Sequence, residues 1–324
     1  NNIFWESINF IKVNLVWKYF ITKELFFFFQ VKNIILKNKL ESTIILSQFN
    51  FYSKWLNNIF QFRHSEHFWQ IDALKKKKFN FKLFIGLFFH NLYKLFDYYS
   101  LKYAKKVIYV SKNTFDKSKI IYNKFKWKFY YISNFIELKN HNENNTKISK
   151  SNINKFLFIW RLEPLKWIDT LCEILEKNIW KLEKNIWKFE LIIAWDWILK
   201  EEIKKYDFVK YKWKLKKYEI IKLYRNCDLF LFPSLYENCP TVILEAMLYW
   251  KLILSRDVGD VKYILNNNKY QVFNNDSEII DKIIKLYSLN NAKKENITYK
   301  NRKKIKEYSS ENIYLNIKKV IYEN

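Results

Sequence analysis

The sequence predicts an α/β protein made of two parallel-sheet domains, and three observations carry that expectation. Short apolar runs at 42–47 (STIILS), 106–110 (KVIYV), 156–159 (FLFI), 189–194 (FELIIA) and 228–232 (DLFLF) alternate with stretches of helical periodicity. That alternation is what parallel strands joined by helical crossovers require. The length, 324 residues, suits two domains that each bury a core. Residues 140–154 are polar, rich in Asn, Ser and Lys, and read as a linker. We therefore expect one domain over 1–150, with a start that looks truncated, and a second over 151–324.

In chain order, residues 2–5 read as a first strand, 42–47 as a buried strand and 51–59 as a helix, with 61–63 leading into His64-Ser65-Glu66-His67. A long amphipathic helix over 81–104, a strand at 106–110, a helix at 112–125 and a strand at 129–133 complete the first domain. The second opens with the strand at 156–159, a helix to about Lys177 and the strand at 189–194. A helix at 199–206, a strand at 208–212, a helix at 216–225 and a strand at 228–232 follow. Beyond a helix begun by Pro240 come a strand at 251–255, a helix at 277–286 and two basic terminal helices. Residues 176–181 (EKNIWK) recur at 183–188, a local duplication and not a repeat architecture.

Composition narrows the class. Three scattered cysteines, Cys172, Cys227 and Cys239, offer neither a disulfide framework nor a zinc site and suit a reduced, cytoplasmic protein. No apolar run approaches a membrane span. The net charge of +26 would suit nucleic acid, an anionic surface or phosphorylated substrates. Because Lys, Asn, Ile, Phe and Tyr, which share AT-rich codons, dominate together and the lysines are scattered, no nucleic-acid partner is expected. Lys75–Lys78 beside the Phe-rich 81–89 segment is compatible with peripheral contact at an anionic membrane; a solvated turn followed by a core helix explains the same residues.

The chemistry concentrates in 233–255, PSLYENCPTVILEAMLYWKLILS. Proline loses no N–H at a helix start, so Cys239-Pro240 opens a helix whose first free N–H groups, on Thr241 and Val242, favour a phosphate. Glu237 and Glu245 stand in an E-x7-E relation, with Glu245 one turn below Thr241 on the same face. A pair at this spacing is usually two surface glutamates flanking an ordinary helix. Here, after a Phe-Leu-Phe-Pro-Ser strand end and around Leu-Glu-Ala-Met, the string resembles the donor-site signature of retaining glycosyltransferases of family 4, the GT-B architecture of two Rossmann-like domains facing each other across a cleft. Val107-Ile-Tyr-Val-Ser111 and Ile132-Ser-Asn134-Phe-Ile136-Glu137 resemble two motifs of that family's N-terminal domain, with Phe135 where glycine is usual. The likeness is dense in the second domain and thin in the first.

The resemblance implies a metal-independent hexosyltransferase that moves a sugar from a UDP- or GDP-sugar to a glycan or lipid-linked acceptor, as in surface polysaccharide or glycolipid synthesis, with no cofactor. Arg161 and Lys166 would neutralise the donor diphosphate, Glu237 would face the donor sugar or its phosphate, and Glu245 would take the ribose hydroxyls. Asn238, Thr241 and Val242 would offer backbone N–H groups, and Lys214 and Trp195 would line the nucleotide pocket. A histidine near the donor sugar would be one of His64 and His67, and we assign His67.

The family's fixed glycines fall on Trp160, Trp167, Trp195, Trp197, Trp213 and Trp250. Only two glycines, Gly86 and Gly259, occur in the chain against 13 tryptophans, where average usage is roughly 7% glycine. Indole at such turns would strain φ or crowd the ligand. We expect a genetic code in which UGA means glycine, the displayed residues being UGA rendered as tryptophan; Trp127, Trp180 and Trp187, in polar turn-like contexts, fall under the same expectation. If the tryptophans are genuine, an inactive or non-transferase GT-B protein, or a basic polyanion or membrane-surface binder, becomes the reading.

Overall fold

The computed structural model describes residues 43–46, 59–63, 98–138, 154–159, 166–194, 203–213 and 215–322. They form two parallel sheets. The first carries β1 (Thr43–Leu46), β2 (Ile59–Arg63), β3 (Lys106–Tyr109) and β4 (Phe129–Tyr131) in that order, every pair parallel. Helix α1 (Lys112–Ile121) crosses from β3 to β4 and ends in a 3-10 turn over Asn123–Lys128. The second sheet holds β5 (Asn154–Ile159), β6 (Phe189–Ala194), β7 (Val209–Lys212), β8 (Leu229–Phe232), β9 (Leu252–Arg256) and β10 (Val272–Phe273).

The order across this second sheet is β10-β9-β8-β5-β6-β7. Counted within the unit, that is 6-5-4-1-2-3, the Rossmann order, whose direction reverses between β5 and β8. The register there pairs Phe156 with Leu229 and Leu157 with Phe230.

Both faces of the sheet are covered, and the pleat explains how. Phe156 and Phe158 point to the side of α2 (Ile168–Lys177), α3 (Ile179–Ile186) and α7 (Ile279–Ser288), burying Leu171, Leu175, Leu182 and Ile283. Leu157 and Ile159 point to the other side, under α4 (Lys217–Asn226) and α5 (Thr241–Leu248), with Tyr224, Ile243 and Met247. A short helix α6 (Val261–Ile264) follows β9. After α8 (Asn291–Lys304), the last helix, α9 (Ser310–Tyr322), returns to the first sheet, where Ile313 packs on Ile108 and Ile132. Lys106 Nζ donates to the Val320 carbonyl at 2.7 Å, and Ile136 N–H donates to Tyr308 O at 2.8 Å, so the crossing is tied at two heights.

Several expected boundaries move. Ile59 begins strand β2 instead of ending a helix, because it pairs in register with Thr43 of β1. The helix expected to Phe125 stops at Ile121, its last turn tightened into the 3-10 segment. The duplicated EKNIWK segment makes a helix, α3, that the sequence reading did not assign, and α6 and β10 were also unassigned. Pro240 is the N-cap of α5, in extended conformation, with Thr241 the first helical residue. The strand expected at 2–5, the bulk of the helix at 81–104, the linker at 140–153 and the Lys75–Lys78 cluster lie outside the described residues.

Candidate active site

The crevice at the carboxyl ends of β5 and β8, where the strand order reverses, is where an open α/β sheet binds its ligand. Two predicted site residues meet there. Lys166, seven residues after β5 ends at Ile159, forms an ion pair and hydrogen bond with Glu237 Oε1 of the loop after β8. Their side chains are 8% and 11% exposed. Ser234 Oγ lies 3.3 Å from the same carboxylate oxygen.

The loop 233–240 is held along its length. Buried Arg256, at the end of β9, donates from Nε to Pro233 O at 2.9 Å and ion-pairs with Asp276. Gly259 packs against the carbonyls of Glu237 and Asn238 with φ +54°; a Cβ there would sit 2.8 Å from the Glu237 carbonyl carbon. Asp260 N–H donates to Asn238 O at 2.7 Å. From the other domain, Asn134 Nδ2 donates to Cys239 O at 2.8 Å, and Thr114 Oγ1 lies 3.3 Å from Asn238 Oδ1. Burial pushes the Cys239 thiol up to about 12, and Cys172 and Cys227 likewise, so none of the three is a thiolate nucleophile near neutrality.

Helix α5 starts at this loop. Its first-turn N–H groups, on Thr241 and Val242, have no intrahelical acceptor and face the loop end. Glu245, one turn on, accepts a hydrogen bond from Tyr224 Oη at 2.8 Å. Burial holds the Glu245 carboxyl above the ordinary carboxylate range, while Tyr224 and the more distant Lys217 ammonium pull it back. Tyr224 itself is buried on α4 and pushed well above its usual value.

Two site features escaped the sequence reading. Asp260 is 1% exposed yet its carboxylate serves the other domain: Oδ1 accepts from Ser111 Oγ at 2.8 Å and from Asn113 N–H at 2.9 Å, and Oδ2 from Lys112 N–H at 2.7 Å. It thus caps α1 from outside. Burial pushes its pKa above the ordinary carboxylate range, and the three hydrogen bonds oppose that shift. Arg256 is the other. A carboxylate or guanidinium just after a strand gives no local periodic signal, because its partners lie on distant segments.

Arg161, His64, His67, Trp160, Trp195, Trp197 and Lys214 lie outside the described residues. Of the tryptophans within them, Trp167, Trp187 and Trp250 take positive φ of 59°, 66° and 60°. Trp250 stands at the residue beyond the C-cap of α5, with its N–H on Met247 O and Lys251 N–H on Ala246 O. That is the Schellman pattern, whose left-handed position is usually glycine. Trp187 pairs its φ with ψ −164°, a region essentially confined to glycine. Trp180 differs from the expectation: it is the second residue of α3, not part of a turn, and is exposed to solvent.

Two Rossmann-like units with a ligand crevice at the switch point of the second define a GT-B fold. The family model described as "Glycosyl transferases group 1" matches residues 139–308, and the chain belongs to that glycosyltransferase family. No curated protein sequence matches the chain. Among solved structures, WaaG, a glycosyltransferase involved in lipopolysaccharide biosynthesis, is similar with a TM-score of 0.70 at 14% identity, over 97% of this chain and 86% of its own. TarM is similar with a TM-score of 0.66 at 19% identity over 90% of this chain, which spans 57% of TarM's length. A protein from Anabaena, solved with UDP and glucose, has a TM-score of 0.59 at 16% identity over 82% of this chain and 72% of its own. At such identities the likeness is one of fold.

Proposed function

We propose that this glycosyltransferase is a retaining, metal-independent cytoplasmic enzyme that transfers a hexose from a UDP- or GDP-sugar to a hydroxyl of a glycan or lipid-linked acceptor. The observation that carries the reading is the buried Lys166–Glu237 pair at the switch point, three residues ahead of the Pro240 cap of α5. A diphosphate seated before Thr241 and Val242 meets the positive end of a helix and the Lys166 ammonium together. With Arg161, that ammonium offsets the charge that grows on the leaving diphosphate as the anomeric C–O bond breaks. Glu245, oriented by Tyr224, accepts from the ribose hydroxyls, and the 212–215 strand end meets the base through its backbone. The Anabaena neighbour's UDP and glucose suit a donor of this kind.

The acceptor hydroxyl attacks the anomeric carbon from the face the diphosphate leaves, and its proton passes to a leaving-group oxygen. The inert cysteines are in keeping with that route. His67 faces the donor sugar in this reading.

The chain works with glycine at the tryptophan positions. Supporting this are the left-handed backbone at Trp167, Trp187 and Trp250 and the Schellman geometry around Trp250. Codons and native peptide masses at 160, 167, 195, 197, 213 and 250 test it: UGG codons end the idea. The transferase reading is tested with the glycine-bearing full chain by calorimetric titration with UDP and GDP, then by the anomeric configuration of product from UDP-glucose, UDP-N-acetylglucosamine and GDP-mannose. No nucleotide binding, or an inverted product, overturns it.

A further inference from the structure

We propose that Asp260 is a positioning residue of the transfer reaction, one that fixes the donor loop to helix α1 of the other domain so that turnover, and not nucleotide binding, depends on its carboxylate. The proposal rests on the transferase reading above and goes beyond it, because the Asp260 carboxylate bonds to Ser111, Lys112 and Asn113, none of them an expected donor ligand, and its backbone meets the donor loop at the Asn238 carbonyl.

The geometry has two halves on one residue. Through its backbone, Asp260 belongs to the donor side: its N–H holds Asn238 O, and Gly259 before it packs on the Glu237 and Asn238 carbonyls. Through its side chain, it belongs to the facing domain, taking three hydrogen bonds from Ser111, Lys112 and Asn113 at the amino end of α1. A carboxylate at that end is favoured by the helix dipole and by charge-assisted bonds, which offsets the cost of burying it. Two thinner links run parallel, Thr114 to Asn238 and Asn134 to the Cys239 carbonyl. All of them end at residues 238–239 or at the glycine-aspartate step that touches these residues. Any shift of α1 against the second domain is thus passed to the loop that carries Glu237. Elsewhere in the seam the buried hydroxyl of Tyr308 finds no hydrogen-bond partner among the described residues. Asp260 brings a buried carboxylate and three hydrogen bonds to this seam.

The consequence separates two quantities. Removing the carboxylate leaves the backbone bond from Asp260 N–H to Asn238 O, and so leaves the nucleotide's own contacts; what is lost is the alignment of the two halves, to which the chemical step is sensitive.

The test uses the glycine-bearing full chain and Asp260→Ala, Asp260→Asn and Asp260→Glu. Two measurements are made: amide hydrogen exchange, and UDP release from UDP-glucose or UDP-N-acetylglucosamine with octyl glucoside or water as acceptor. In Asp260→Ala we expect exchange at Lys112 and Asn113 to rise about tenfold or more, the loss of a charged hydrogen-bond partner. Exchange across 237–240 should rise with it. The UDP dissociation constant and the donor KM should stay within about threefold, while kcat falls about tenfold to a hundredfold. Asp260→Asn keeps one acceptor and should recover part of kcat. A faster exchange confined to 112–113, an unchanged kcat, or a kcat that falls only in step with UDP affinity overturns the proposal. A parent chain that binds neither UDP nor GDP overturns the transferase reading first, and this role with it.

Discussion

Lys166 and Glu237, 71 residues apart in sequence, are ion-paired across the gap between β5 and β8, each nearly out of solvent. A buried pair of this kind adds little net stability, but breaking it on one side leaves the other charge stranded. Lys166→Ala is therefore expected to lower the unfolding free energy by about 3 kcal/mol in urea titrations. Lys166→Ala combined with Glu237→Gln should cost less than Lys166→Ala alone, since no charge is then left buried. Costs that simply add would mean the pair is not a unit. UDP affinity should fall by about tenfold or more in both, because each lacks the ammonium proposed to meet the diphosphate.

Trp250 and Trp187 hold left-handed or glycine-type backbone, which costs an L-residue roughly 1–2 kcal/mol. Trp250→Gly and Trp187→Gly should each stabilise the displayed chain by about 1 kcal/mol. Trp180→Gly is the control: it lies in α3 with no positive φ and should lose about 0.5 kcal/mol through helix propensity. Thermal melts of the three variants decide it. Equal and unfavourable effects at all three would sink the glycine argument.

These cases mark what local pattern could reveal. The strand at 189–194 and the helix at 217–226 stood out because the apolar period is unbroken, and Lys166 and Glu237 because the strings around them resemble the family's donor-site motifs. Five of the second sheet's six strands, all but β10, were legible to within two residues because their apolar runs are unbroken too. Strand β2 was not: 59–63 (IFQFR) is a strand because β1 and β3 flank it, not because its pattern excludes a helix. Asp260 and Arg256 were invisible for a related reason. Their roles are defined by Ser111, Lys112, Asn113 and Pro233, 23 to 149 residues away, and no spacing rule reaches that far.

Glu245 ties stability to pH in a direction that can be checked. Burial raises its folded pKa, so the folded chain holds that proton more tightly than the unfolded chain does. Its contribution is then full below the ordinary carboxylate value and is lost as pH rises through the folded one; half-buried Asp228 and buried Asp260 act in the same sense. Glu245→Gln removes one such group. Relative to its parent, the variant should gain stability as pH rises above the ordinary carboxylate range, in melts at matched ionic strength. A gap that does not change with pH would mean that Glu245 titrates as it does in the unfolded chain.

Gly259→Ala tests whether the loop needs the close approach that the glycine permits. The new Cβ would lie 2.8 Å from the Glu237 carbonyl carbon, closer than a methyl group tolerates, and the residue's φ of +54° adds strain of its own. The neighbour is backbone, so the methyl cannot be avoided by turning a side chain. Either β9's exit or the 237–239 loop must move, and with it Glu237 relative to Lys166. We expect a stability loss of about 2–4 kcal/mol, at the upper end for a strained backbone site. UDP affinity should drop as well, even at temperatures where the variant is fully folded by circular dichroism. Gly86 lies in the first domain, outside the described residues, and the matched substitution Gly86→Ala serves as the comparison. If Gly259→Ala keeps the parent's UDP affinity, the loop is not braced by this contact, and the bonds from Arg256, Asp260, Asn134 and Thr114 hold it in place.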